Sequence, residues 1–117
     1  MNVAYDPKPL TANQLHQLSQ DVKLALTDLY GEWLEQVILY GSYARGDFHA
    51  ESDVDYLVVL RDEMVQHGVE IRFMSRRIGE LSVDYDLFVS VKPTSVQKYR
   101  CSQLPYYLNV REEGILL

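Results

Sequence analysis

Three acidic residues and one glycine-serine dipeptide are the part of this chain best suited to chemistry. Asp53 and Asp55 stand two apart at the head of an apolar run that ends at Leu60. In an extended strand, residues i and i+2 project to the same side, so this spacing aims both carboxylates at one point. Held together they repel unless water or a cation separates them. Aspartate is also a poor strand former, so a pair at a strand head asks for a reason. Mg²⁺ supplies one: it is a hard ion that commonly takes one or two protein carboxylates plus substrate phosphates. Asp86, on the polar side of a later alternating segment, would add a third carboxylate and complete a centre for two ions about 3.5–4 Å apart. In such a centre one ion holds a triphosphate, and the other lowers the pKa of an incoming hydroxyl and orients it for in-line attack on phosphorus. Gly41-Ser42 offers the other half. A glycine lets the backbone approach a phosphate closely, and the Ser42 hydroxyl can donate to a phosphate oxygen. Arg45, one helical turn further on, is placed to neutralise phosphate charge.

These residues need elements to position them. Thr11-Ala12-Asn13-Gln14 reads as a capping box, and Leu15, Leu18, Val22, Ala25, Leu26 and Leu29 follow at helical spacing up to Gly31, which predicts a helix from about Ala12 to Tyr30. Gln36 to Tyr40 is a short apolar run entering the Gly41-Ser42 turn, with a helical turn expected at Tyr43-Ala44-Arg45 and a polar loop over 46–52. Asp53 to Leu60 reads as a central strand buried on both faces. Arg61 to Glu80 carries Met64, Val65, Val69, Phe73 and Ile78 at roughly helical spacing despite Gly68. Leu81 to Val91 alternates, with Val83, Tyr85, Leu87, Val89 and Val91 on one side and Asp84, Asp86, Phe88 and Ser90 on the other, which predicts a strand. One or two short helices are expected over 94–113, with Pro105 near a start. Gly114 then ends the helix and Ile115-Leu116-Leu117 returns to the core. The order α-β-α-β-α-β-α predicts an α/β sandwich around a small mixed sheet.

Composition narrows the function. The 117 residues suit one domain, 1–117, and 47% apolar with 24% charged is ordinary for a globular chain. No apolar run is long enough to span a membrane. Met1 to Lys8 includes Asp6 and no apolar core, so a signal peptide is not expected and the cytoplasm is the expected compartment. The single cysteine, Cys101, excludes an internal disulfide or a cysteine metal cluster and reads as structural. The net charge of −6 argues against direct nucleic-acid binding, which ordinarily rests on a basic surface. Arg72, Arg76 and Arg77 read as a solvated helix face, and His16, His49 and His67 as exposed. Tyr99, Tyr106 and Tyr107 serve either a partner surface or packing of the last helix.

Gly41-Ser42-Tyr43-Ala44-Arg45-Gly46-Asp47, followed by Ser52-Asp53-Val54-Asp55-Tyr56-Leu57-Val58-Val59, closely resembles the signature of the DNA polymerase β-like nucleotidyltransferase superfamily, and in so short a chain its minimal nucleotidyltransferase (MNT) family. The resemblance covers nearly the whole chain, from the first helix to Glu113-Gly114-Ile115-Leu116-Leu117. It implies a nucleotidyltransferase fold, with Gly41 and Ser42 holding the triphosphate and Asp53 and Asp55 binding metal. It also implies a third acidic residue on a later strand. That residue is expected to be Asp86, within Tyr85-Asp86-Leu87-Phe88-Val89, with Asp84 as its rival. Minimal nucleotidyltransferases typically act as antitoxins to a HEPN-domain RNase toxin, and some transfer AMP from ATP to a tyrosine of that toxin. The resemblance therefore implies an Mg²⁺-dependent protein adenylyltransferase with ATP as donor and a HEPN toxin as partner. Two alternatives stand beside it: an antitoxin that neutralises by complex formation alone, and a transferase for a small hydroxylated molecule of the aminoglycoside kind.

Overall fold

A computed structural model describes residues 7–117. The expectations for Met1 to Asp6 lie outside the described residues. Four strands and five helices follow in the order α1 (Ala12–Tyr30), β1 (Leu34–Tyr40), α2 (Ser42–Arg45), β2 (Val54–Leu60), α3 (His67–Tyr85), β3 (Val89–Ser95), α4 (Val96–Cys101), α5 (Pro105–Glu113) and β4 (Ile115–Leu116). A single 3₁₀ turn, Gly31–Trp33, joins α1 to β1. The sheet order is β3-β2-β1-β4. β1 runs antiparallel to β2 and to β4. β2 and β3 are parallel and joined by α3, the crossover that a parallel pair requires.

α1 begins where its capping box says it should. Thr11 Oγ1 accepts from the Gln14 amide at 3.1 Å, and Gln14 Oε1 accepts from the Thr11 amide at 2.9 Å. The helix stops at Gly31, whose φ of 55° costs a glycine little. β2 lies between its neighbours in the sheet, and every residue except Asp55 is buried. Alternation along it separates two packing layers. Val54, Tyr56, Val58 and Leu60 face α1 and α3, meeting Leu18, Val22, Leu26, Met74 and Ile78. Leu57 and Val59 face α5, meeting Ile38, Tyr107 and Val110. The mixed sheet with helices on both faces is the architecture expected from the order of elements.

Several boundaries differ from expectation, and one matters for the site. The segment 61–66 is irregular, and α3 starts only at His67. It then continues to Tyr85, through residues whose alternation resembles a strand. Met74, Ile78, Leu81 and Tyr85 also recur at spacings of four, three and four, so one stripe satisfies both periods. The helical one wins because Leu81 and Tyr85 pack against the α1-facing core, and the Tyr85 hydroxyl donates to Asp21 on α1 at 2.7 Å. Asp86 is consequently not a strand residue. It closes α3 in the left-handed conformation, φ 54° and ψ 45°, which aspartate tolerates better than most residues. At the C-terminus, β4 pairs Leu116 with Ile38 and Ile115 with Leu39 along the sheet edge, and both β4 side chains stay exposed. Only Leu117 packs back against the core.

Candidate active site

Register brings the two motif halves together. Tyr40, the last residue of β1, lies opposite Asp55, the second of β2. The Gly41-Ser42 turn therefore emerges directly beside the aspartate pair. Gly41 has φ 78°, a value that disfavours any residue with a side chain, and a Cβ there would collide with the Asp55 carboxylate. Glycine at 41 is thus required twice over, by backbone conformation and by the approach of Asp55. The next turn closes with the Ala44 and Arg45 amides donating to the Gly41 carbonyl at 3.1 and 3.0 Å. Tyr43 anchors it from below: its hydroxyl accepts from the Leu10 amide at 3.0 Å, and its ring stacks on Phe48 at 4.3 Å.

Asp53 is exposed just before β2, and Asp55 is half-buried within it. Burial, and secondarily the Asp53 charge, push the Asp55 carboxyl up from its ordinary value, while Arg45 partly offsets them. Burial dominates, and the neighbouring Asp53 carboxylate crowds Asp55 further. A hard dication relieves that crowding, and its usual complement of one or two carboxylates with the remainder from phosphates and water matches what the pair offers. The residues fit Mg²⁺ on that ground.

Two expected contributors stand differently. Asp86 lines an open groove of about 1020 Å³ that also contains Asp53, Glu51 and Phe88. It does not join the pair as a three-carboxylate cage, and no cluster of three metal-ligating side chains occurs among the described residues. The reason is the α3 terminus: the residue opposite Asp55 on β3 is Ser90, four positions beyond Asp86. Asp84 is exposed on α3 itself. Arg45 is placed near Asp55, but its guanidinium already holds Asp47 at 3.2 Å and Glu113 at 3.0 Å.

The structure adds residues that spacing alone did not single out. On the α5 side of the sheet, Tyr40, Asp55, Ser90 and Lys92 form one ledge. Tyr106 closes it, with its ring edge-on to Tyr40 at 5.6 Å. Burial, with the Asp55 charge adding to it, pushes the Tyr40 hydroxyl above its ordinary value, while a hydrogen bond with Tyr106 partly offsets them. Ser90 shares the parity of Asp86 in the alternation, so moving the strand start to Val89 would have found it. Tyr107 is buried and shares a 2.7 Å hydrogen bond with Thr94, so packing is its role. Cys101 is exposed rather than structural.

Comparison with known proteins gives a consistent result. Residues 19–112 match the family described as Nucleotidyltransferase domain. Two proteins of Methanocaldococcus jannaschii, both named provisionally as protein adenylyltransferases, are similar over most of their length. MJ0141 is 32% identical over 79 residues, 66% of this chain and 76% of that protein. MJ0604 is 30% identical over 94 residues, 80% of this chain and 87% of that protein. Among solved structures, a toxin-antitoxin complex with AMP-PNP matches at TM-score 0.57 and 21% identity, covering 83% of this chain and 69% of the matched one. A tri-AMPylated Shewanella oneidensis HEPN toxin in complex with its MNT antitoxin matches at TM-score 0.53 and 17% identity, covering 86% and 69%. At those identities the structural likeness carries the fold.

Proposed function

This chain belongs to the nucleotidyltransferase domain family, and from that premise we propose that it is the antitoxin of a toxin-antitoxin pair that transfers AMP from ATP to a tyrosine hydroxyl of a HEPN-type toxin. The observation that carries the reading is the register of β1 on β2, which sets Gly41-Ser42 against the Asp53-Asp55 pair at one open end of the sheet. The names of the M. jannaschii relatives support protein as the acceptor. The solved complexes of the same fold, one with AMP-PNP and one with an AMPylated toxin, support the nucleotide and the partner.

In this reading one domain, residues 1–117, does the work in the cytoplasm; no described helix is long and apolar enough to cross a membrane. Asp53 and Asp55 hold Mg²⁺, which when bound polarises the α-phosphate and screens its charge. The Gly41 backbone admits the triphosphate close to the sheet, and the Ser42 hydroxyl donates to it. Arg45 exchanges one of its carboxylate partners for phosphate when nucleotide binds. The tyrosine hydroxyl of the toxin gives up its proton to water and its oxygen bonds to the α-phosphorus as the α–β anhydride breaks, and pyrophosphate leaves on the opposite side.

The test uses the purified chain, Mg²⁺, α-labelled ATP and the product of the adjacent gene. Label should pass to the toxin, and to a tyrosine within it. Asp53→Ala with Asp55→Ala should abolish labelling and toxin neutralisation while leaving the fold intact. A folded double mutant that still protects cells would overturn the catalytic reading in favour of neutralisation by binding alone.

A further inference from the structure

The ledge beside Asp55 carries a cation without a counter-ion. Parallel register pairs Asp55 with Ser90 and Leu57 with Lys92, and alternation sends all four side chains to the α5 face. The Lys92 ammonium stands 3.8 Å from the centroid of the Tyr106 ring. It makes no ion pair among the described residues. Next to it, the buried Tyr106 hydroxyl has the Tyr40 hydroxyl as its neighbour. A half-buried cation whose partner is a ring face keeps its capacity to bind an anion. The ligand chemistry it calls for is an anion rich in oxygen acceptors.

Ser90 adds the second half of the inference. It occupies the strand position beside Asp55 where a third carboxylate would have to stand to hold a second dication, and it carries no charge. Two carboxylates balance one divalent ion, and the remaining charge of a triphosphate falls to whatever cation faces it. Resting on the function proposed above, we propose that the centre works with one divalent ion, held by Asp53 and Asp55, and that Lys92 binds the nucleotide phosphates in place of a second ion. Lys92 reaches them by leaving the Tyr106 face, a small rearrangement for a side chain with four rotatable carbons.

Manganese titration followed by electron paramagnetic resonance, in the presence of α,β-methylene ATP, counts the ions. One ion per chain is expected. Lys92→Met should keep that count and weaken binding of the analogue about 10- to 100-fold, the usual worth of a charge-assisted contact. Lys92→Arg should recover most of the loss. Ser90→Asp should acquire a second ion. Two ions in the unmodified chain would overturn the inference while leaving the function intact. So would analogue binding by folded Lys92→Met at full affinity. A folded Ser90→Asp chain that still takes one ion would remove Ser90 from the third-ligand position. If the unmodified chain binds no analogue with metal present, the inference and the function both fall.

Discussion

Asp55 is where function and stability oppose each other. Its carboxyl is pushed up by burial and by Asp53, so the folded protein favours the protonated form more than the unfolded chain does. A group of this sign contributes stability that is complete below its unfolded pKa of 3.8 and is lost as pH rises through the higher folded value. Near neutrality the charged Asp55 is therefore a liability that a metal relieves. Asp55→Asn should stabilise the chain at pH 7 without metal by on the order of 1 kcal/mol or less for a half-exposed site, read as a higher melting temperature. The advantage should vanish near pH 3, where the side chain at position 55 is largely uncharged in both chains, and AMP transfer should be lost. Equal melting temperatures of the two chains at pH 7 would remove the proposed crowding. At this scale the sequence was legible for Gly41, Ser42, Asp53 and Asp55, because a glycine-serine turn and a one-residue spacing are local patterns. The strand placement of Asp86 misled because its neighbours satisfy two periods at once. Ser90 and Lys92 stayed hidden because nothing in a serine or a lysine on a strand signals what lies on the next strand.

Among the elements, α1 carries its instructions in four residues. The reciprocal Thr11 and Gln14 bonds satisfy two amides that a helix start otherwise leaves unpaired. Thr11→Ala should cost about 1 kcal/mol, or roughly 4 °C in melting temperature, without changing activity. Thermal melts followed by circular dichroism read this directly, and a simultaneous loss of AMP transfer would mean that α1 does more than cover the sheet. β2 was equally plain, since an uninterrupted apolar run bounded by aspartates suits a strand buried on both faces. The α3–β3 boundary was not. Its helical length depends on Tyr85 finding Asp21 across 64 residues of chain, and no local period reports such a contact.

For the molecule as a whole, β2 couples two packing layers to one site. Its even-numbered residues join α1 and α3, and its odd-numbered residues join α5, so Asp55 inherits its position from both. Leu57→Ala would open a cavity at a fully buried position between Ile38 and α5, costing about 2–5 kcal/mol of the 5–15 typical of a domain. Because Tyr106 precedes Tyr107 on α5, the same change should loosen the ledge. Weaker binding of α,β-methylene ATP is expected, beyond what the melting temperature alone accounts for. Binding that tracks only the folded fraction would separate the ledge from the core.

The sequence by itself determined the α1 start, the central strand, the fold class and the pairing of a glycine-serine turn with two aspartates, because each rests on residues within about a dozen positions of one another. Only the tertiary structure decided which residue stands beside Asp55 on β3, where Asp86 lies, and that Lys92 stands over the Tyr106 ring. Those outcomes depend on strand register and on contacts between distant segments, which follow from the packing of both layers at once.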